Sequence, residues 1–160
     1  MDDDNDGKDH RKSQPATAMT TSQRIKLSLI AVLDAAKPDE SIAVVDAKQR
    51  GELALPLLAV DVTAATAHSE ALQNVERIEL VATLRVHAGD DEDIDGWIDQ
   101  IETILTDVSF IKAATSDLVK VYAWTYSGSV QEWDESVLEV AFTIETLCAR
   151  FGIQPQNDPP

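Results

Sequence analysis

The sequence predicts an α+β domain: a largely antiparallel β-sheet with two amphipathic helices packed on it. Three patterns carry this prediction. From Ile78 the even positions Ile78, Leu80, Ala82, Leu84, Val86 and Ala88 are apolar, and Glu79, Thr83, Arg85 and His87 fall between them, the period of a strand buried on one side. A second run has the same period, with Leu138, Val140, Phe142 and Ile144 against Glu139, Ala141, Thr143 and Glu145. Between the two, Ile94, Trp97, Ile98, Ile101, Ile104, Leu105 and Val108 recur at helical spacing, opposite Asp95, Asp99, Glu102 and Thr103.

The remaining elements follow in chain order. Met1 to Thr20 is polar, gathers Asp2, Asp3, Asp4, Asp6 and Asp9, and has no apolar period, so it is expected to be a flexible acidic tail. A first helix is expected after Thr21 and Ser22, which can cap it, with Ile25, Leu29, Val32, Leu33 and Ala36 on one face and Pro38 as its stop. Ile42 to Asp46 and Leu55 to Val62 are short β-branched-rich runs around a polar segment containing Gly51, and are expected to form a hairpin. Pro56 would stand at the start of the second strand, where a missing donor is tolerated. Asp90, Asp91, Glu92 and Asp93 precede the second helix, where negative charge meets the positive end of the helix dipole. Leu118 to Tyr126 and Ser136 to Thr146 are expected to pair as a second hairpin around a Ser127-Gly128-Ser129 turn. Three prolines make residues 153–160 irregular, which leaves one domain over residues 21–152.

Composition excludes several functions. Against 29 Asp and Glu stand 13 scattered Lys and Arg, a net charge of −16, so a basic stripe for nucleic-acid phosphates is missing. A negative wall can still be useful beside DNA, because it keeps the polymer from sticking. No run approaches the roughly 20 apolar residues of a membrane span, and the N-terminal stretch lacks the basic start and apolar middle of a secretory signal. Cys148 is the single cysteine, in the apolar run Phe142 to Phe151, and reads as a buried small hydrophobe. His10, His68 and His87 are the only histidines available to a catalytic triad, and one of them lies in the tail. Glycine-rich phosphate loops, zinc-spaced Cys or His pairs and serine-nucleophile elbows are absent from the sequence.

One segment matches a ligand-binding pattern. Asp91 to Glu102 reads D-x-D-x-D-G with Glu at the twelfth position and Ile98 at the apolar eighth, which are the oxygen ligands and the turn glycine of a calcium loop. Its flanks favour a different origin: His87 to Asp90 ends a period-2 strand instead of an entering helix, and Thr103, Thr106 and Asp107 occupy expected apolar positions on the exit side. An acid-rich helix start accounts for the same residues. Around the final hairpin, Trp124, Tyr126 and Trp133 serve either as core or as exposed anchors.

Taken together, Ser22 to Arg150 resembles the tail-terminator and tail-completion proteins of long-tailed bacteriophages and their archaeal-virus relatives. The likeness is one of layout: an opening amphipathic helix, a hairpin, the long strand over Glu76 to Val86, an acidic turn into the second helix, and a hairpin ending Val137 to Leu147. Members of that family form hexameric rings that cap the head-proximal end of the tail tube, stop its polymerisation and mate with the head connector. The resemblance implies a structural virion protein of the tail or neck, assembled in the host cytoplasm, without catalysis, cofactor or metal. It also implies contacts with the tail tube protein and with head connector or neck proteins, and a lumen through which DNA passes without sequence-specific binding. Another neck or connector component, or a small calcium-binding module using Asp91 to Glu102, are the alternatives. Within the sheet, the face that mixes Glu79, Arg85, Glu139 and Glu145 with Val81, Val137 and Ala141 suits a subunit contact better than bare solvent. Arg85, Glu79 and Glu139 are its candidate contact residues, with Arg85 meeting a carboxylate of the neighbouring copy.

Overall fold

The structure, a computed structural model, describes residues 20–49, 51, 53–67, 75–87, 93–107 and 120–149. The acidic N-terminal stretch up to residue 19, the C-terminal residues 153–160, His10, His68, Ala88, Asp91, Val108 and Leu118 lie outside them.

Helix α1 spans Thr21–Ala36. Thr20, one residue ahead of the expected caps, is its N-cap: Gln23 N donates to Thr20 Oγ1 at 3.2 Å, and Thr20 N donates to Gln23 Oε1 at 3.1 Å. This reciprocal box satisfies two of the donors that every helix start leaves open. Thr21 is instead buried in the first turn. The helix stops at Lys37, whose extended ψ of 146° is the conformation that the following Pro38 imposes on its predecessor.

Strand β1, Ala43–Asp46, pairs with β2, Leu57–Ala67, in parallel, Ala43 facing Leu57 and Asp46 facing Val60. The expected hairpin is therefore absent. Apolar periodicity fixes which side of a strand is buried but not the direction of its partner, and the segment between the runs is long enough to carry the chain back along the sheet. A cross-layer ion pair ties the far end of β1 to α1: Lys26 Nζ lies 2.9 Å from Asp46 Oδ2. Burial would raise the Asp46 carboxyl, but the Lys48 backbone N–H and the Lys26 ammonium together hold it below the ordinary carboxylate value.

Strand β3, Val75–His87, runs antiparallel to β2 and then to β5, Val137–Ala149; β4, Val121–Asp134, lies outside β5, giving the order β1-β2-β3-β5-β4. The expected alternation holds in both central strands: Ile78, Leu80, Ala82, Leu84, Val86, Leu138, Val140, Phe142 and Ile144 are all buried. The last hairpin forms, but its turn is misplaced in the sequence reading. Ser127-Gly128-Ser129 is a bulge within β4, where the pairing register slips between Tyr126 and Gly128 and Gly128 takes φ +114°. The chain reverses at Glu135-Ser136, with Glu135 at φ 52°. A glycine with positive φ serves a bulge as well as a turn, which is why the two were confused.

Helix α2, Ile94–Thr106, lays Trp97, Ile98, Ile101 and Leu105 on the same side of the sheet as α1. Three polar contacts fasten it to β4. Trp124 Nε1 donates to Leu105 O at 2.7 Å, satisfying a carbonyl left open at the helix end, while Tyr126 Oη and Ser129 Oγ donate to Glu102 Oε1 at 2.8 and 3.2 Å. No helix among the described residues is long and apolar enough to cross a membrane.

The Tyr126 phenol is pushed up to about 12, by burial first and then by the Glu102 carboxylate it faces, with Ser129 pulling the other way. Because this value is above the ordinary 10.0, the contribution to stability is complete below pH ~10 and is lost as pH rises through about 12. Denaturant titrations across that window should show this fall in the wild type and not in Tyr126→Phe, and tyrosinate absorbance should lose its late step in the same variant. A Tyr126 that ionises at the ordinary value would mean that the clamp on Glu102 is not made in solution.

Candidate interaction face

With both helices on one side, the alternate side chains of four strands form an open face. Directly paired residues share a face, so the register arranges it in rows across β2, β3, β5 and β4. The end row is Leu57, Arg85, Glu139 and Glu132, of which Leu57 is buried and does not belong to the open surface. The next two are Ala59, Thr83, Ala141 and Val130, then Asp61, Val81, Thr143 and Gly128. A fourth row holds Ala64, Glu79, Glu145 and Thr125, and a fifth Thr66, Arg77, Leu147 and Ala123.

Apart from Asp61 in the third row, charges sit in the outer rows, and uncharged, mostly small side chains fill the second and third. In two places like charges face each other directly: Glu132 opposite Glu139, and Glu79 opposite Glu145. Each pair is relieved by one arginine. Arg85 Nε lies 2.7 Å from Glu139 Oε1 and Arg77 Nε lies 3.2 Å from Glu145 Oε1. The Arg85 contact is close without being well aimed, since its Nε–H falls outside hydrogen-bond geometry. All four side chains are a third to a half exposed, so each pair contributes no more than ~1 kcal/mol. Glu79, Glu132 and Asp61 have no ion-pair partner among the described residues, and Asp61 Oδ1 is shielded from solvent without a hydrogen bond.

The three residues proposed from sequence thus lie on one face. Arg85 and Glu139 meet each other within the chain, where sequence reasoning had sent Arg85 to a neighbouring copy. Arg77 and Asp61 were missed: the signal for Arg77 was its place in the same period-2 run, whereas Asp61 lies in a strand whose open side carries mostly small residues.

The calcium-like segment has a different geometry. Its residues from Ile94 onward are helical, and Asp93 is the N-cap, its Oδ1 accepting from Gly96 N at 2.9 Å. The glycine of the pattern serves this cap: a Cβ at Gly96 would collide with the Asp93 carboxylate. Glu102, the twelfth position, faces Tyr126 and Ser129 on β4. Among the described residues no group of three or more His, Cys, Asp or Glu side chains is placed to hold a metal ion. Cys148 is buried, and burial pushes its thiol up to about 12. His87 is exposed at the end of β3. Of the three aromatics, Trp124 and Tyr126 are half-buried against α2, while Trp133 is 62% exposed.

No protein-family model matches the chain, and no curated protein matches it.

The cap makes a measurable coupling. Gly→Ala inside a helix normally stabilises by about 1 kcal/mol, and losing an Asp cap costs about as much. Gly96→Ala should therefore be close to neutral in the wild type, because it displaces Asp93, and stabilising by about 1 kcal/mol in an Asp93→Ala background. Equal effects in both backgrounds, read from urea unfolding, would show that Asp93 and Gly96 are not coupled.

Proposed function

We propose that this chain is a tail terminator, a structural virion protein whose copies close into a ring at the head-proximal end of a tail tube, halt the tube's growth and join the tail to the head connector. The observation that carries the proposal is the open sheet face. Apart from Asp61, its second and third rows carry uncharged, mostly small side chains, the form that lets two backbones approach closely, and charged rows border them on both sides. Such an arrangement suits a subunit contact in which the centre packs and the rim sets the register. Contact between this face and a different surface of the next copy is heterologous, and heterologous contacts close into rings when the rotation permits. The net charge of −16 suits a lumen that must let DNA pass without holding it. The same charge opposes self-association, so the assembly should strengthen with salt, which screens exposed charges beyond about 8 Å at physiological ionic strength.

Light scattering should give a mass that rises with concentration and salt toward six copies of the 17.5 kDa chain. Ala141→Arg, in the small-sided band, should leave a folded single copy. Arg85→Glu should do the same at a cost of about 1 kcal/mol to the fold, since it sets like charges directly opposite at Glu139. In a virus that depends on the protein, both changes should give tails of uncontrolled length or heads without tails. A wild-type protein of single-copy mass at every concentration, or variants that keep the wild-type mass and normal tails, would refute the assignment.

A further inference from the structure

Among the described residues, nothing covers the far half of β4 on either side or along its edge. Helix α2 reaches β4 through Trp124, Tyr126 and Ser129 and no further. From Ser129 itself to Ser136 every residue is exposed, Val130 to 61% and Trp133 to 62%. The register is unbroken from Gly128 to Asp134, after the bulges that interrupt the first half. As the outermost strand, β4 turns alternate backbone N–H and C=O groups away from β5, and among the described residues no strand lies along them.

We propose that this segment is a strand-addition site for an extended basic segment of another protein. Charge decides the occupant. Glu132 and Asp134 point to the open face, Glu135 stands in the adjoining turn, and none of the three has an ion-pair partner among the described residues. A second copy pairing edge to edge would bring Glu132 and Asp134 close to their own counterparts, and like charges across a strand pair oppose pairing. A strand with lysine or arginine at alternate positions meets them favourably. Period 2 then places its intervening side chains on the other face, beside Trp133, where an apolar residue fits. The partner is thus an extended segment, basic on one side and apolar on the other. This site adjoins the ring contact, since Glu132 and Val130 also belong to the open face, but it uses the backbone edge of β4 and does not depend on the ring.

The test uses the full chain and a capped peptide of alternating lysine and valine, about as long as the exposed segment. Calorimetry should show binding. N-methylation of alternate peptide amides should abolish it, and a glutamate–valine peptide should not bind. The double variant Glu132→Lys/Asp134→Lys should weaken binding roughly tenfold, Trp133→Ala should weaken it too, and Glu79→Lys on the open face should leave it unchanged. Circular dichroism checks that each variant is folded. Ala141→Arg, which blocks the ring contact, should keep full peptide binding, so loss of the ring and loss of this site are told apart. Absence of binding by the lysine–valine peptide, equal binding by its N-methylated form, an unchanged affinity in both edge variants, or pairing of the protein with itself through this edge would each overturn the proposal.

Discussion

One-sided burial of the two central strands is the constraint on which the rest of the structure depends. β3 and β5 pair along their whole lengths, and their even-numbered side chains from Ile78 to Val86 and from Leu138 to Ile144 form a continuous apolar surface that neither strand can hide alone. Each fully buried Leu, Ile, Val or Phe contributes about 1.5–3 kcal/mol by leaving water, so the drive to cover that surface is large. Both helices are used for it, α1 over β1, β2 and β3 and α2 over β4 and β5. Nothing is left in the described chain to cover the opposite side. The open face is thus a consequence of where the apolar residues fall, and its mixed composition is what the proposed assembly would use.

A mismatch of lengths produces the second exposed feature. Helix α2 has 13 residues and rises about 20 Å, whereas the 14 residues of β4 extend about 46 Å. The helix is anchored at the near end of the strand by Trp124 and Tyr126, so the far end projects beyond it. Trp133 is exposed for that reason: its side chain is on the helix side of the sheet, as its pairing with buried Leu138 shows, but no helix among the described residues reaches it. Natural edge strands are commonly blunted by charge, and Glu132 and Asp134 act in that way against self-pairing while leaving the edge open to a strand of opposite charge.

The parts legible in the sequence were those encoded by local period. The alternation in β3 and β5, the stripe of α2 and the stop of α1 at Pro38 are each set within a single element. Features that depend on pairing between distant segments were not legible. The parallel direction of β1 is a matter of its pairing with β2, and the period of a four-residue strand carries no record of it. Gly128 gives the same signal for a bulge as for a turn, and the true turn at Glu135-Ser136 has none of the usual Asn-Gly or Asp-Gly signature. On the open face, the period showed that Arg85, Glu79 and Glu139 point the same way. That Arg85 and Glu139 would sit directly opposite one another required the β3–β5 register, which joins strands separated by α2 and β4.

The central claim, that the open sheet face is the contact surface of an assembly, is tested most directly by thiol accessibility. Thr143→Cys places a reactive group in the middle of the small-sided band, and the native Cys148 stays silent because it is buried and its thiol is pushed up to about 12. Maleimide labelling of the introduced thiol should be fast in the dilute single-copy protein and suppressed in the assembled form, with labelled protein failing to assemble. Equal labelling rates in both forms, or normal assembly of fully labelled protein, would contradict the account.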